Sequence, residues 1–174
     1  MRGWENSKKE NMTAILSNPA NLWQRVIDSH QQYSQAFSEF VTNAPDKIDV
    51  LRRALRGRDR SLALQVIPSL SMDEKKALLP EWVHLARAAH SPFQFAWNVI
   101  ESLPREWVLQ NLAREVDEIL RDEVDTDYWM FLQLYARMDG ALARQLAQRA
   151  SASADPAIRE LGEEYLAMGK TTTR

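Results

Sequence analysis

The chain has no cysteine, only five glycines in 174 residues, and no apolar run near the roughly 18 residues that a membrane-spanning helix needs. Without cysteine there can be no disulfide, no thiolate metal site and no thiol nucleophile; this suits a reducing compartment, and a cytoplasmic protein is expected. Scarce glycine and few Val/Ile/Thr alternations leave no stretch that reads as a strand. A net charge of −2 lacks the basic excess that draws a domain to nucleic acid or to an anionic membrane. Neither is an expected partner. Met1 to Met12 is polar, carrying Glu5, Lys8, Lys9 and Glu10, and does not read as a signal peptide. Residues 1–17 are expected to be a flexible N-terminal segment, with Met12 as a second possible start.

The residues of enzyme sites are also scarce. His30, His84 and His90 are the only histidines; the last two stand six apart, off a common helical face, and no carboxylate completes a metal triad with them. There is no glycine-rich phosphate loop, no Gly-x-Ser-x-Gly elbow and no dinucleotide fingerprint. The expectation is no metal, no cofactor and no catalytic set, which disfavours an enzyme without excluding one.

What the chain does have is 45% apolar and 26% charged residues, rich in Ala, Leu, Gln, Glu and Arg, which lose little freedom on entering a helix. The fold class read from this is all-α. Asn18-Pro19 opens a long first helix carrying Leu22, Trp23, Val26, Ile27, Tyr33, Phe37, Phe40 and Val41, and Asn43-Ala44-Pro45-Asp46 breaks it. A short arginine-rich helix follows and stops at Gly57. Ser71 and Glu74 have capping-box spacing, and Pro80 should kink or restart the helix that they begin. Ser91-Pro92, Pro104, Asp125 or Thr126, Asp139 and Asp155-Pro156 mark later starts, and Gly169 marks the end of the last helix, for about nine helices.

Three stretches repeat one pattern: Leu62 to Leu70, Phe95 to Leu103 and Met130 to Met138, offset by 33 and 35 residues. In each, positions one, two, five, six and nine are apolar or small, and position four is an amide: Gln65, Asn98 or Gln133. Leu112, Val116 and Ile119 likewise lie 33 residues after Leu79, Val83 and Ala86. A period of this size is the mark of stacked helix pairs. Leu62, Val66, Phe95, Val99, Met130 and Leu134 are expected to be buried between pairs. A non-repeating bundle of Leu-rich helices is the alternative.

Asp155-Pro156-Ala157-Ile158-Arg159-Glu160-Leu161, running into Tyr165-Leu166, resembles the HEAT-repeat pattern of an Asp-Pro turn, an aliphatic residue, an arginine and a periodic apolar helix. The earlier turns depart from it, with Asp59, Pro92 and Asp127 at the turn position. The resemblance covers roughly Asp46 to Gly169. It implies an α-α superhelix of about four antiparallel helix pairs with the first helix as a cap, one HEAT-like domain over 18–169, and a tail over 170–174. It also implies a concave surface that binds other macromolecules.

Gln65, Asn98 and Gln133 then read either as a polar ladder suited to a peptide backbone or as ordinary solvated residues. Of Trp23, Trp82, Trp97, Trp107 and Trp129, most should be core, with Trp97 a candidate exposed anchor beside Asn98. Arg52, Arg53, Arg56, Arg58 and Arg60 form a basic cluster. Glu115, Asp117, Glu118, Asp122, Glu123, Asp125 and Asp127 form an acidic one, read as a solvated face with pairs such as Asp117 with Arg121. The expected function is a non-catalytic protein-interaction module or adaptor, an immunity-type binder among them, with an unknown protein partner and a monomeric or weakly self-associating state. The alternative is a nucleic-acid-binding, DNA-glycosylase-like protein using the arginine cluster, with Asp125 and Asp127 near Trp129 as its acids.

Overall fold

The computed structural model describes residues 18–87, 92–122 and 124–171, and every regular element among them is helical. His90, Ser91, Glu123 and the segment 1–17 lie outside the described residues. By packing, the chain divides into two units, Met1–Lys47 and Ile48–Arg174. None of the described helices is long and apolar enough to cross a membrane.

In the first unit, α1 (Pro19–Asn43) begins as its sequence dictates. The Asn18 side chain accepts a hydrogen bond from the Ala20 amide at 3.0 Å, and Pro19 supplies a first-turn residue that needs no donor. Pro45 restricts Ala44 to extended backbone, and Asp46 takes a left-handed φ of 52°, which ends the helix. None of the 25 residues of α1 is buried.

The chain continues through α2 (Lys47–Arg56), α3 (Arg60–Val66) with a 3-10 turn at Ile67–Ser69, α4 (Met72–Ala77), α5 (Leu79–Ala86), α6 (Phe93–Ser102), α7 (Arg105–Ile119) with a 3-10 turn at Leu120–Asp122, α8 (Asp125–Met138), α9 (Gly140–Ser151) and α10 (Pro156–Thr171). Ser71 and Glu74 form the capping box of α4. Pro80 splits the helix begun at this box in two. Leu78 leaves helical geometry (φ −98°, ψ 13°), because proline offers no donor and its ring presses on the carbonyl four residues back. The indole Nε1 of Trp82 donates to the Lys75 carbonyl at 2.9 Å beside that break. Asp139 and Asp155 cap α9 and α10. Val124, rather than Asp125 or Thr126, occupies the cap position of α8, and α10 runs through Gly169 to Thr171.

The second unit is an α-α superhelix built from local neighbours: α5 packs on α6 and α7, α8 on α9, α9 on α10, and α8 reaches α10. The approach of α9 to α10 is close because small residues face each other. Ala143, Ala147 and Ala150 are fully buried, and a Cβ on Gly162 would sit 2.6 Å from the Ala147 carbonyl oxygen.

The repeat register is visible in the burial. Ala63, Ala96 and Phe131 at position two are buried; so are Val66, Val99 and Leu134 at five, Ile67, Ile100 and Tyr135 at six, and Leu70, Leu103 and Met138 at nine. Positions seven and eight are exposed in all three stretches. Position one departs from expectation. Met130 is 1% exposed and Phe95 is half-buried, but Leu62 is 50% exposed. The reason is place: α3 is seven residues long and is the first of the three recurring helices, so fewer neighbours surround it.

Candidate interaction site

The outward stripe of each recurring helix follows from the same register. Gln65 and Asn98 are exposed, and Gln133 is half-buried. Four residues earlier, one helical turn away, stand Ser61, Gln94 and Trp129, all exposed. Trp129, 48% exposed, lines a shallow groove between α8 and α10 with Leu132, Gln133, Leu161, Tyr165 and Met168, and Glu164 supplies a carboxylate at its wall. Its neighbours Asp127, Tyr128, Met130 and Phe131 are buried on the inward face, which leaves Trp129 turned outward.

Trp97 is not an exposed anchor. It is 6% exposed and packs edge-on against Phe93 at 5.2 Å, with the Arg137 guanidinium over its ring at 5.3 Å. Arg137 is in turn gripped by both carboxylate oxygens of Glu101, a link from α8 to α6 that raises the guanidinium's pKa. The exposed tryptophans among the described residues are Trp23 and Trp129.

The basic cluster is largely taken up by the fold. Arg56 reaches the Glu81 carboxylate at 2.8 Å and Arg52 approaches it at 3.4 Å while also donating to the Ala77 carbonyl. Arg60 donates to the Leu55 carbonyl. Arg53 and Arg58 face solvent, Arg58 alongside Asp59 at 3.8 Å. Glu81 is 1% exposed, with one carboxylate oxygen lacking a hydrogen bond. Sequence reasoning missed it because a lone glutamate in an apolar helix carries no motif.

A second buried carboxylate lies in the first turn of α8. Asp127, 4% exposed, is held by Arg87 across 3.2 Å, and burial raises its pKa while Arg87 pulls it back. His84 stands between Glu81 and Arg87 in sequence. Its pKa is lowered first by partial burial and then by Arg87, Arg56 and Arg60, with Glu81 opposing. The acidic cluster likewise separates into pairs: Asp117 with Arg149, Glu118 with Arg121, and Glu115 with Arg114. The expected Asp117–Arg121 pair is replaced by these because the α7 helix gives way to a 3-10 turn at Leu120, which moves Arg121 off the four-residue spacing. Asp125 accepts from the Thr126 amide in the first turn of α8. Among the described residues no three acidic, histidine or cysteine side chains gather as for a metal ion. No protein-family model, curated protein or solved structure matches the chain.

Proposed function

We propose that the chain is a HEAT-like helical-repeat protein that works as a non-catalytic protein-interaction module, an adaptor or immunity-type binder, with α8 and α10 as its contact face. The single observation that supports this most is the half-exposed Trp129 set beside an amide, a carboxylate and the apolar side chains of Leu161, Tyr165 and Met168. A large aromatic with polar groups at its rim is the composition of an interface hot spot. The chemistry fits a polypeptide segment that inserts an apolar side chain at Trp129, offers backbone groups to Gln133 and presents a base to Glu164. Asn98 and Gln65 extend the polar stripe along the earlier rungs.

The HEAT-like part draws support from the last turn, where Asp155 caps α10 and Arg159 donates to the Ser153 carbonyl, tying the helix back to its own turn. The arginine cluster gives the nucleic-acid reading little support, since Arg52, Arg56 and Arg60 are engaged within the protein. The test is to recover the partner with the immobilised chain, identify it by mass spectrometry, and titrate it by calorimetry. Trp129→Ala should weaken binding at least tenfold, and Gln65, Asn98 and Gln133 changed together to alanine should weaken it further, with circular dichroism unchanged. Binding that survives these changes and disappears instead with Arg53→Ala and Arg58→Ala, with a steep dependence on salt, would replace the proposal with a polyanion partner.

A further inference from the structure

Charge is unevenly matched across the second unit. Many of its carboxylates have a cation of their own: Asp117 has Arg149, Glu101 has Arg137 and Asp139 has Arg105. Along the groove between α8 and α10 the match fails. Glu164 stands in the groove wall and Glu160 one turn before it on α10, both exposed, and no cation among the described residues pairs with either. Asp125, also exposed, stands one turn before Trp129 on α8 and accepts from the amide and hydroxyl of Thr126, which bring no charge. Among the described side chains the cations on α8 and α10 are Arg137 and Arg159. Glu101 holds the first, and the Ser153 carbonyl accepts from the second.

The chain path gives these acids a direction. Short turns join α8 to α9 and α9 to α10, so each pair runs antiparallel and α8 and α10 run roughly the same way. Asp125 and Glu160 therefore lie toward one end of the groove and Met168 toward the other, with Trp129, Leu161 and Tyr165 between.

We propose that the occupant of this groove is a basic amphipathic stretch of polypeptide, with a lysine or arginine over the end marked by Asp125 and Glu160 and an apolar side chain set against Trp129 and Leu161. This rests on the reading of α8 and α10 as the contact face and adds the sign and the spacing of what binds there. Carboxylates left without a cation beside an apolar floor repel acidic segments and nucleic acid, and they favour a partner that brings the missing charge. The spacing follows from the helices. One turn separates Asp125 from Trp129, about 5 to 6 Å, which is the reach between side chains three or four residues apart on a partner helix.

The test uses the full chain and a phage-displayed library of random peptides. Peptides selected on the immobilised chain should carry Lys or Arg three or four residues from an aromatic or aliphatic residue, well above library frequency. In anisotropy titrations with the synthesised peptides, Trp129→Ala should weaken binding at least tenfold, which tests the contact face itself. Glu160→Gln with Glu164→Gln should weaken it about fivefold with circular dichroism unchanged, and Asp125→Asn, which keeps an acceptor for the Thr126 amide, should weaken it further. Changing the peptide's basic residue to Gln should cost as much against the parent chain and almost nothing against the charge variants. Peptides that need Trp129 but are neutral or acidic, or that ignore the charge variants, overturn this proposal and leave the contact face standing. Peptides indifferent to Trp129→Ala overturn the contact face and the proposal with it, as does a library that yields no binder.

Discussion

Glu81 shows how a single residue can turn a basic cluster into part of a fold. Burying a carboxylate is costly unless a cation comes with it, and Arg56 and Arg52 bring two guanidiniums that keep part of their own hydration. Removing the partners should therefore be worse than removing the whole arrangement. We expect Arg52→Ala with Arg56→Ala to cost about 3 to 5 kcal/mol in urea denaturation, and Glu81→Leu added to that pair to restore most of the loss. No recovery in the triple variant would mean that the arginines act through their aliphatic stems. His84 makes a prediction of the other kind. Its folded pKa lies below its unfolded value, so its share of stability is complete above about pH 6.5 and is lost as the pH falls through the lower, folded value. Facing Arg87, Arg56 and Arg60, an imidazolium is disfavoured even with Glu81 nearby. Melting temperatures followed downward from neutral pH should fall less steeply in His84→Gln than in the parent chain, and parallel curves would remove His84 from the account.

Among the helices, burial tracks place in the stack as much as residue type. Leu62, Phe95 and Met130 hold the same position in three copies of one pattern, yet their exposure falls from half to almost none along the chain. Met130→Ala should cost about 2 to 5 kcal/mol through lost transfer energy and the cavity left behind. Leu62→Ala should stay within about 0.5 kcal/mol, as surface changes do. Equal losses at the two positions, measured by chemical denaturation, would mean that Leu62 is covered in solution. The pairing of α9 with α10 has another basis. Gly162 and the alanines opposite let two backbones meet where larger side chains would hold them apart.

For the whole molecule, the division into two units implies two levels of protection. The core helices α5, α7 and α8 carry fully buried Trp82, Leu112, Phe131 and Leu134, while α1 buries no residue. In dilute solution the amides of α1 should exchange with deuterium well before those of α5 and α8 by mass spectrometry. Equal protection of all these helices in dilute solution would contradict the two-level picture.

Much of this was legible in the chain itself, because helix starts and stops depend on nearby backbone groups. Asn18-Pro19, the Ser71/Glu74 box, the break before Pro80 and the caps at Asp139 and Asp155 all act within four residues of themselves. The inward positions two, five, six and nine were legible too, since helical period and hydrophobicity agree there. Side-chain partnership was not. That Trp97 lies under Arg137, that Arg56 seeks Glu81 and that Arg87 meets Asp127 depends on residues 25 to 40 apart in sequence being brought together. Exposure at Leu62 and Trp129 was decided in the same way. A residue's period fixes which way it points, but only the packed helices determine whether anything stands there to cover it.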